Sequence, residues 1–176
     1  MIRRILVLAL ALGLPCGLAF ADSISNPGTV TSVTCGPGLS GGTISSSGAC
    51  AVSLSVFTNS IGANVSLSST STYFDGPSVA QGNTGTWLAM GQATVSGPSG
   101  DVIACKLWDG SSVLDSSIVT ITAASATLDV HLSGYLSAPV GNLKISCKDS
   151  TSTSGFIIGN NSGTGKDSTV SVVRIN

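Results

Sequence analysis

The chain has 176 residues, 42% of them apolar and 9% charged, with a formal net charge of −1. That balance excludes a strongly basic nucleic-acid binder. It denies a soluble helical protein the Glu, Lys and Arg its wet faces need, and it is the reverse of the polar, highly charged composition of disordered chains.

Residues 1–21 read as a secretory signal peptide. Arg3 and Arg4 form the charged start, residues 5–14 are an apolar run interrupted only by Gly13, and Ala19-Phe20-Ala21 is a small-x-small cleavage site. The expected mature chain begins at Asp22 and is secreted or periplasmic. The apolar run is too short to span a bilayer comfortably, and no later stretch approaches that length. Pro15 stands where a lipobox before Cys16 wants a small residue.

Residues 22–50 form a Gly-, Ser- and Thr-rich arm with breakers at Gly36-Pro37-Gly38 and Gly41-Gly42. From residue 51 the pattern becomes period-two. Val52, Leu54 and Val56 alternate with serines, as do Val65 and Leu67. Residues 73–81 read as a loop around Asp75-Gly76-Pro77. Strands are expected over 86–95 and 102–108, the latter closed by an Asp109-Gly110 turn. Further strands are expected at 113–114, 118–122, 127–132, 142–147, 156–158 and 170–175. About ten short strands at this spacing predict an all-β fold, an antiparallel β-sandwich of jelly-roll type over residues 51–176.

Four cysteines remain after the leader: Cys35, Cys50, Cys105 and Cys147. An even number in an exported chain points to two disulfides. Three connectivities exist. Cys35–Cys50 and Cys105–Cys147 are favoured, because the arm lacks apolar mass to hold itself closed and the other two cysteines lie within strands. No Cys-x-x-Cys is present and the chain has one His, so no metal site and no cofactor is expected.

The segment from Thr29 to Ala49, TVTSVTCGPGLSGGTISSSGA, resembles a motif of bacteriophage and prophage tail-fibre and receptor-binding proteins. In that motif T-V-T-S-V precedes G-x-G-L-x-G-G-T-I. The rest of the chain is similar in style to jelly-roll virion modules. The resemblance implies a structural or surface-binding role rather than a catalytic one, and an arm that packs against other subunits. A homo-oligomer, with a trimer favoured, is the expected assembly. The leader and the cysteines make the chain an exported relative of such proteins.

Candidate chemistry is sparse. Asp129, His131 and Ser133 share one strand face, but strand neighbours two apart lie about 7 Å from each other, too far for triad hydrogen bonds. The ordinary reading is a solvent-facing polar stripe. Glycoside hydrolysis would need two opposed carboxyl groups, usually including a Glu, and Asp75, Asp101, Asp109, Asp115 and Asp129 could supply Asp pairs. Asp75 and Asp109 read as turn residues. Asp149, Asn160, Asn161 and Asp167 could supply calcium oxygens, though such residues are ordinary loop chemistry. Among the aromatics, Trp87 and Trp108 read mainly as core, while Tyr73 and Tyr135 beside loops are the better candidates for stacking on a sugar. All four are carried as candidate ligand contacts. The reading is thus a non-enzymatic exported structural or surface-binding module. The alternative is a lectin-like carbohydrate-binding domain, with a surface glycan as partner, and a secreted hydrolase ranks third. Neither nucleic acid nor, after processing, a membrane is an expected partner.

Overall fold

The computed structural model describes residues 32–35, 39–45, 48–52 and 54–175. The leader and its cleavage site lie outside the described residues. The chain divides into two units that meet between Ala51 and Val52.

In the first unit β1 (Val33–Thr34) pairs antiparallel with β3 (Thr43–Ile44), and β2 (Leu39–Ser40) pairs with β4 (Ala51–Val52). Strands of two residues bury little, so the covalent tie matters. Cys35 is bonded to Cys50, and its N–H donates to the carbonyl of Gly42. Gly41 sits at φ +133°, and a Cβ there would lie 2.6 Å from the Ala49 carbonyl oxygen. Only glycine fits both the conformation and the space.

The second unit carries ten strands: β5 (Val56–Ser60), β6 (Val65–Leu67), β7 (Phe74–Val79), β8 (Thr86–Ser96), β9 (Val102–Trp108), β10 (Val113–Thr120), β11 (Thr127–Ser137), β12 (Leu143–Asp149), β13 (Gly155–Ile158) and β14 (Thr169–Arg174). They form the antiparallel sandwich that the alternating pattern predicts. One sheet has the order β10-β9-β12-β7, and the other is organised around β8. Strand β11 covers one edge of β8 along its whole length. The opposite edge is shared end to end, with β14 on Trp87 to Gln92 and β13 on Thr94 to Ser96. Ser168 seals the junction: its hydroxyl accepts from the Thr94 N–H at 3.0 Å and donates to the Ile158 carbonyl at 2.7 Å. The buried backbone groups exposed by the strand break are thereby paired.

Side-chain parity sets the core. On β8 the inward positions include Ala89, Gly91 and Ala93, which are small and let the facing sheet approach. A Cβ on Gly91 would lie 2.7 Å from the Ile145 Cδ1 and 2.9 Å from the Thr169 carbonyl oxygen. Leu67, Val95, Ile103, Leu107, Ile145 and Val172 fill the interior without exposure.

Three expectations need correction. Residues 74–79 are a strand rather than a loop, so Asp75 is a strand residue and not a turn residue. Pro77 is tolerated because β7 is an edge strand. The pairing of β7 with β12 shifts register between Lys144 and Ser146, where Gly76 and Pro77 together face Ile145. The segments at 113–114 and 118–122 are one strand, β10, with a bulge between Val113 and Asp115 that breaks the alternation. Strand β11 runs on to Ser137 rather than stopping at 132.

Cys105 and Cys147 are direct partners on neighbouring strands β9 and β12, with Cα atoms 4.1 Å apart, and both face the core. Among the described residues the two disulfides are those favoured from the sequence, and they fit an oxidising, extracellular compartment. Among the described residues no helix is long and apolar enough to cross a membrane. The Cys105–Cys147 bridge spans 42 residues. Replacing both cysteines by Ala should lower unfolding stability by about 4 kcal/mol on the chain-entropy account, read as a reduced urea midpoint. A loss below about 1 kcal/mol would show that the bridge does not constrain the unfolded chain.

Candidate functional site

The outer face of the four-stranded sheet gathers side chains of one parity. On β9 these are Ala104, Lys106 and Trp108, opposite in direction to the buried Ile103, Cys105 and Leu107. On β12 they are Lys144, Ser146 and Lys148. The register sets Lys106 against Ser146 and Trp108 against Lys144. Asp75 of β7 pairs with Ser146 from the other side, and Tyr73 lies just before that strand.

A hydrogen-bonded chain fixes the centre. The Trp108 indole N–H donates to the Ser146 hydroxyl at 2.7 Å, and that hydroxyl donates to Asp75 Oδ1 at 2.7 Å. Lys144 Nζ donates to Asp75 Oδ2 at 2.6 Å, as both hydrogen bond and ion pair. Ser146 is fully buried. Partial burial works against the charged form of Asp75. Hydrogen bonds from Lys144 and Ser146, with the charges of Lys144 and Lys106, outweigh it and hold the carboxyl below its ordinary value.

The ring faces carry ammonium groups. Lys106 Nζ lies 3.2 Å from the Trp108 ring centroid and 4.3 Å from that of Tyr73. Lys144 stands 5.2 Å from the Trp108 ring, and Lys148 5.3 Å from the Tyr73 ring. These are cation–π distances. Burial, together with the charges of Lys144 and Lys148, lowers the Lys106 pKa, and Asp75 only partly offsets this.

The other candidates separate. Trp87 is in the core, its indole N–H on the Thr84 carbonyl and its ring 5.8 Å from Phe57. Trp108 is half-buried on the outer face rather than in the core. Tyr135 stands on the outer face of the other sheet, 74% exposed, across from Leu88. The structure thus brings Tyr73 and Trp108 together and leaves Trp87 and Tyr135 apart from them. The three lysines were not among the sequence candidates. The signal was present as shared parity of Lys106 with Trp108 and of Lys144 with Lys148, but which strands adjoin was not legible.

Asp129, His131 and Ser133 line the solvent side of β11, and no hydrogen bond joins them. Asp129 accepts from the Thr94 hydroxyl, and the Ser133 N–H donates to Asp115. Asp109 accepts from the N–H groups of Ser111, Ser112 and Val140 and so caps its turn. Three of the four oxygen donors considered for calcium, those of Asp149, Asn160 and Asp167, accept hydrogen bonds within loops. Asp149 accepts from the N–H groups of Thr151 and Ser152, Asn160 from that of Gly165, and Asp167 from the N–H groups of Asn161 and Ser162 and the Ser162 hydroxyl. Among the described residues no three His, Cys, Asp or Glu side chains are grouped to hold a metal ion.

A carboxyl pair does exist, Asp101 with Asp149, but both are buried and Ser152 Oγ lies 2.9 Å and 2.7 Å from them. Burial, joined by Asp149, raises the Asp101 pKa. Burial also works against the charge of Asp149, yet backbone donors and Ser152 bring it below its ordinary value. The pair is therefore split, with Asp101 the weaker acid and Asp149 the stronger.

A shallow groove of about 470 Å³ lies on the other sheet, lined by Met90, Gln92, His131, Ser133, Thr169 and Ser171 among others. Its lining holds the His131 imidazole but no Phe, Tyr or Trp and no lysine.

No family model matches the chain, and no curated protein does. Among solved structures, it is similar to the Eiger TNF of S. frugiperda at 12% identity and a TM-score of 0.45, over 70% of this chain and 93% of that one. It is also similar to the C-terminal CBM6 of LamC, a marine laminarinase from Zobellia galactanivorans, at 14% identity and a TM-score of 0.33, over 68% and 100%. At this distance the likenesses carry no statement about function.

The Asp101–Asp149 pair sets a pH dependence. The raised Asp101 value contributes stability that is complete below the ordinary 3.8 and is lost as pH rises through the raised value. The lowered Asp149 value contributes stability that is present above 3.8 and lost as pH falls through the lowered value. Urea midpoints of the wild type should therefore fall as pH rises from 3.8 through the Asp101 titration, and D101N should remove that fall. An identical fall in D101N would assign it to other groups.

Proposed function

We propose that this protein is an exported, non-catalytic surface-binding module. Its binding face is the outer face of the four-stranded sheet, and its partner is a surface glycan. The observation that carries the reading is the convergence of Trp108, Tyr73 and three lysines on one open face, with the indole pinned by the chain through Ser146 to Asp75. Aromatic side chains held rigid at a surface contribute contact at low entropic cost. A flat, half-exposed face suits a polymer chain better than an enclosed small molecule. The non-catalytic part of the reading is supported by the inaccessible carboxyl pair and by the unjoined Asp129, His131 and Ser133.

Binding to an array of surface polysaccharides, followed by affinity measurement on the best ligand, tests this. Trp108→Ala and Tyr73→Ala should each weaken binding by on the order of tenfold, about 1.4 kcal/mol, while Tyr135→Ala leaves it unchanged. Unchanged binding in both of the first two variants would move the site elsewhere. Product release from the bound polysaccharide would contradict the non-catalytic reading.

The likeness of the arm to fibre proteins supports a virion-like second role for it, attachment or self-association. Its described strands are two residues long and Val33 is 50% exposed, so the described part of the arm presents apolar surface. The full processed chain should form a homo-oligomer, a trimer in the favoured case, and deletion of residues 22–50 should yield a folded monomer. Light scattering decides, and a monomeric full chain at micromolar concentration contradicts the idea.

A further inference from the structure

Resting on the glycan-binding reading above, we infer that the ligand is an acidic glycan, and that recognition is by charge spread along an extended chain rather than by stacking of neutral rings. Outside the leader the sequence has five cations, Lys106, Lys144, Lys148, Lys166 and Arg174, so three of the five stand on this one face. Against them the cluster sets a single carboxylate, Asp75, and that carboxylate is already engaged by Lys144 and Ser146. The cluster is therefore positive although the whole chain is slightly negative.

Two features separate a polyanion from the alternatives. First, the ring faces are not bare. Lys106 lies over both Trp108 and Tyr73, so an incoming neutral sugar would have to displace an ammonium group before stacking. An incoming carboxylate or sulfate would instead meet that group. Second, the lysines leave the backbone at spread positions. Lys144 and Lys148 are four residues apart on one strand, about 13 Å along it, and Lys106 on the adjacent strand pairs with Ser146 midway between them. That layout meets a line of repeating charges better than one compact anion. The three ammonium groups repel one another, and the lowered pKa of Lys106 reflects that repulsion as well as its burial. An anion laid across the face relieves it. The aromatic rings hold the lysine stems in place, so less side-chain freedom remains to be lost on binding.

The test compares two polymers with one backbone: polygalacturonate, and the same polymer fully methyl-esterified. Affinity electrophoresis of the full processed protein reads both, at low and high salt. Polygalacturonate should bind at least about tenfold more tightly than the ester, and the difference should shrink as salt screens it. The double variant K106Q/K148Q should lose about tenfold or more on polygalacturonate, while K166Q, outside the cluster, should not. Equal binding of both polymers, lost in Trp108→Ala but not in K106Q/K148Q, would overturn the acidic-glycan inference and leave the glycan face standing. Binding of neither polymer nor of any arrayed glycan would overturn the glycan-binding reading itself. Single-stranded DNA bound as tightly as polygalacturonate, with the same lysine dependence, would also overturn the inference, since charge alone would then account for binding.

Discussion

A single buried hydroxyl, that of Ser146, links the core to the candidate binding face. Its neighbours Ile145 and Cys147 point into the interior, where Cys147 is bonded to Cys105 of the adjacent strand. Ser146 itself points outward yet is covered, and it accepts from the Trp108 indole while donating to Asp75. A buried hydroxyl left short of partners costs about 1–3 kcal/mol, which favours keeping Trp108, Ser146 and Asp75 together. The same rung of the β9–β12 pair is thus clamped on its inner side by a disulfide and on its outer side by hydrogen bonds. Asp75 reaches this rung because Gly76 and Pro77 bulge opposite Ile145. Without that register shift the carboxylate would not lie across from Ser146, and Lys144 would have no counter-charge.

Scarcity of charge gives this face its weight. Only 9% of the chain is charged, so a group of three lysines on one face stands out. The chain's buried acids are spent on structure: Asp109 caps a turn, and Asp101 and Asp149 both lie within hydrogen-bond reach of the Ser152 hydroxyl. The lysines are not spent in that way. Lys144 is ion-paired with Asp75, while Lys106 and Lys148 are held near aromatic rings and, among the described residues, form no ion pair. Clustering like charges costs stability.

The strands with clean alternation were legible in the sequence. Residues 102–108 form β9 with the bounds that their pattern predicts, and Asp109-Gly110 closes it with Gly110 at φ +97°. The failures have physical causes. Asp75-Gly76-Pro77 has the composition of a turn, and only the edge position of β7 makes it a strand. The bulge after Val113 shifts the parity of β10 and made one strand read as two. Gly134 interrupts the apolar pattern of β11, and it is glycine because a Cβ there would lie 2.8 Å from Leu114 Cβ. Trp108 was assigned to the core because its sequence neighbours are apolar. Its parity with Lys106, opposite to that of Leu107, already placed it outside. The convergence of β7, β9 and β12 on one face depends on sheet order, and no local pattern encodes that order.

The most direct measurement is amide and indole shift mapping by 1H–15N spectroscopy, on the processed protein titrated with a short oligogalacturonate. The account predicts perturbations concentrated at residues 73–75, 106–108 and 144–148, including the Trp108 indole N–H. Perturbations confined to the groove formed by residues 90–92, 131–133 and 169–171, or an absence of perturbation at millimolar ligand, would contradict it.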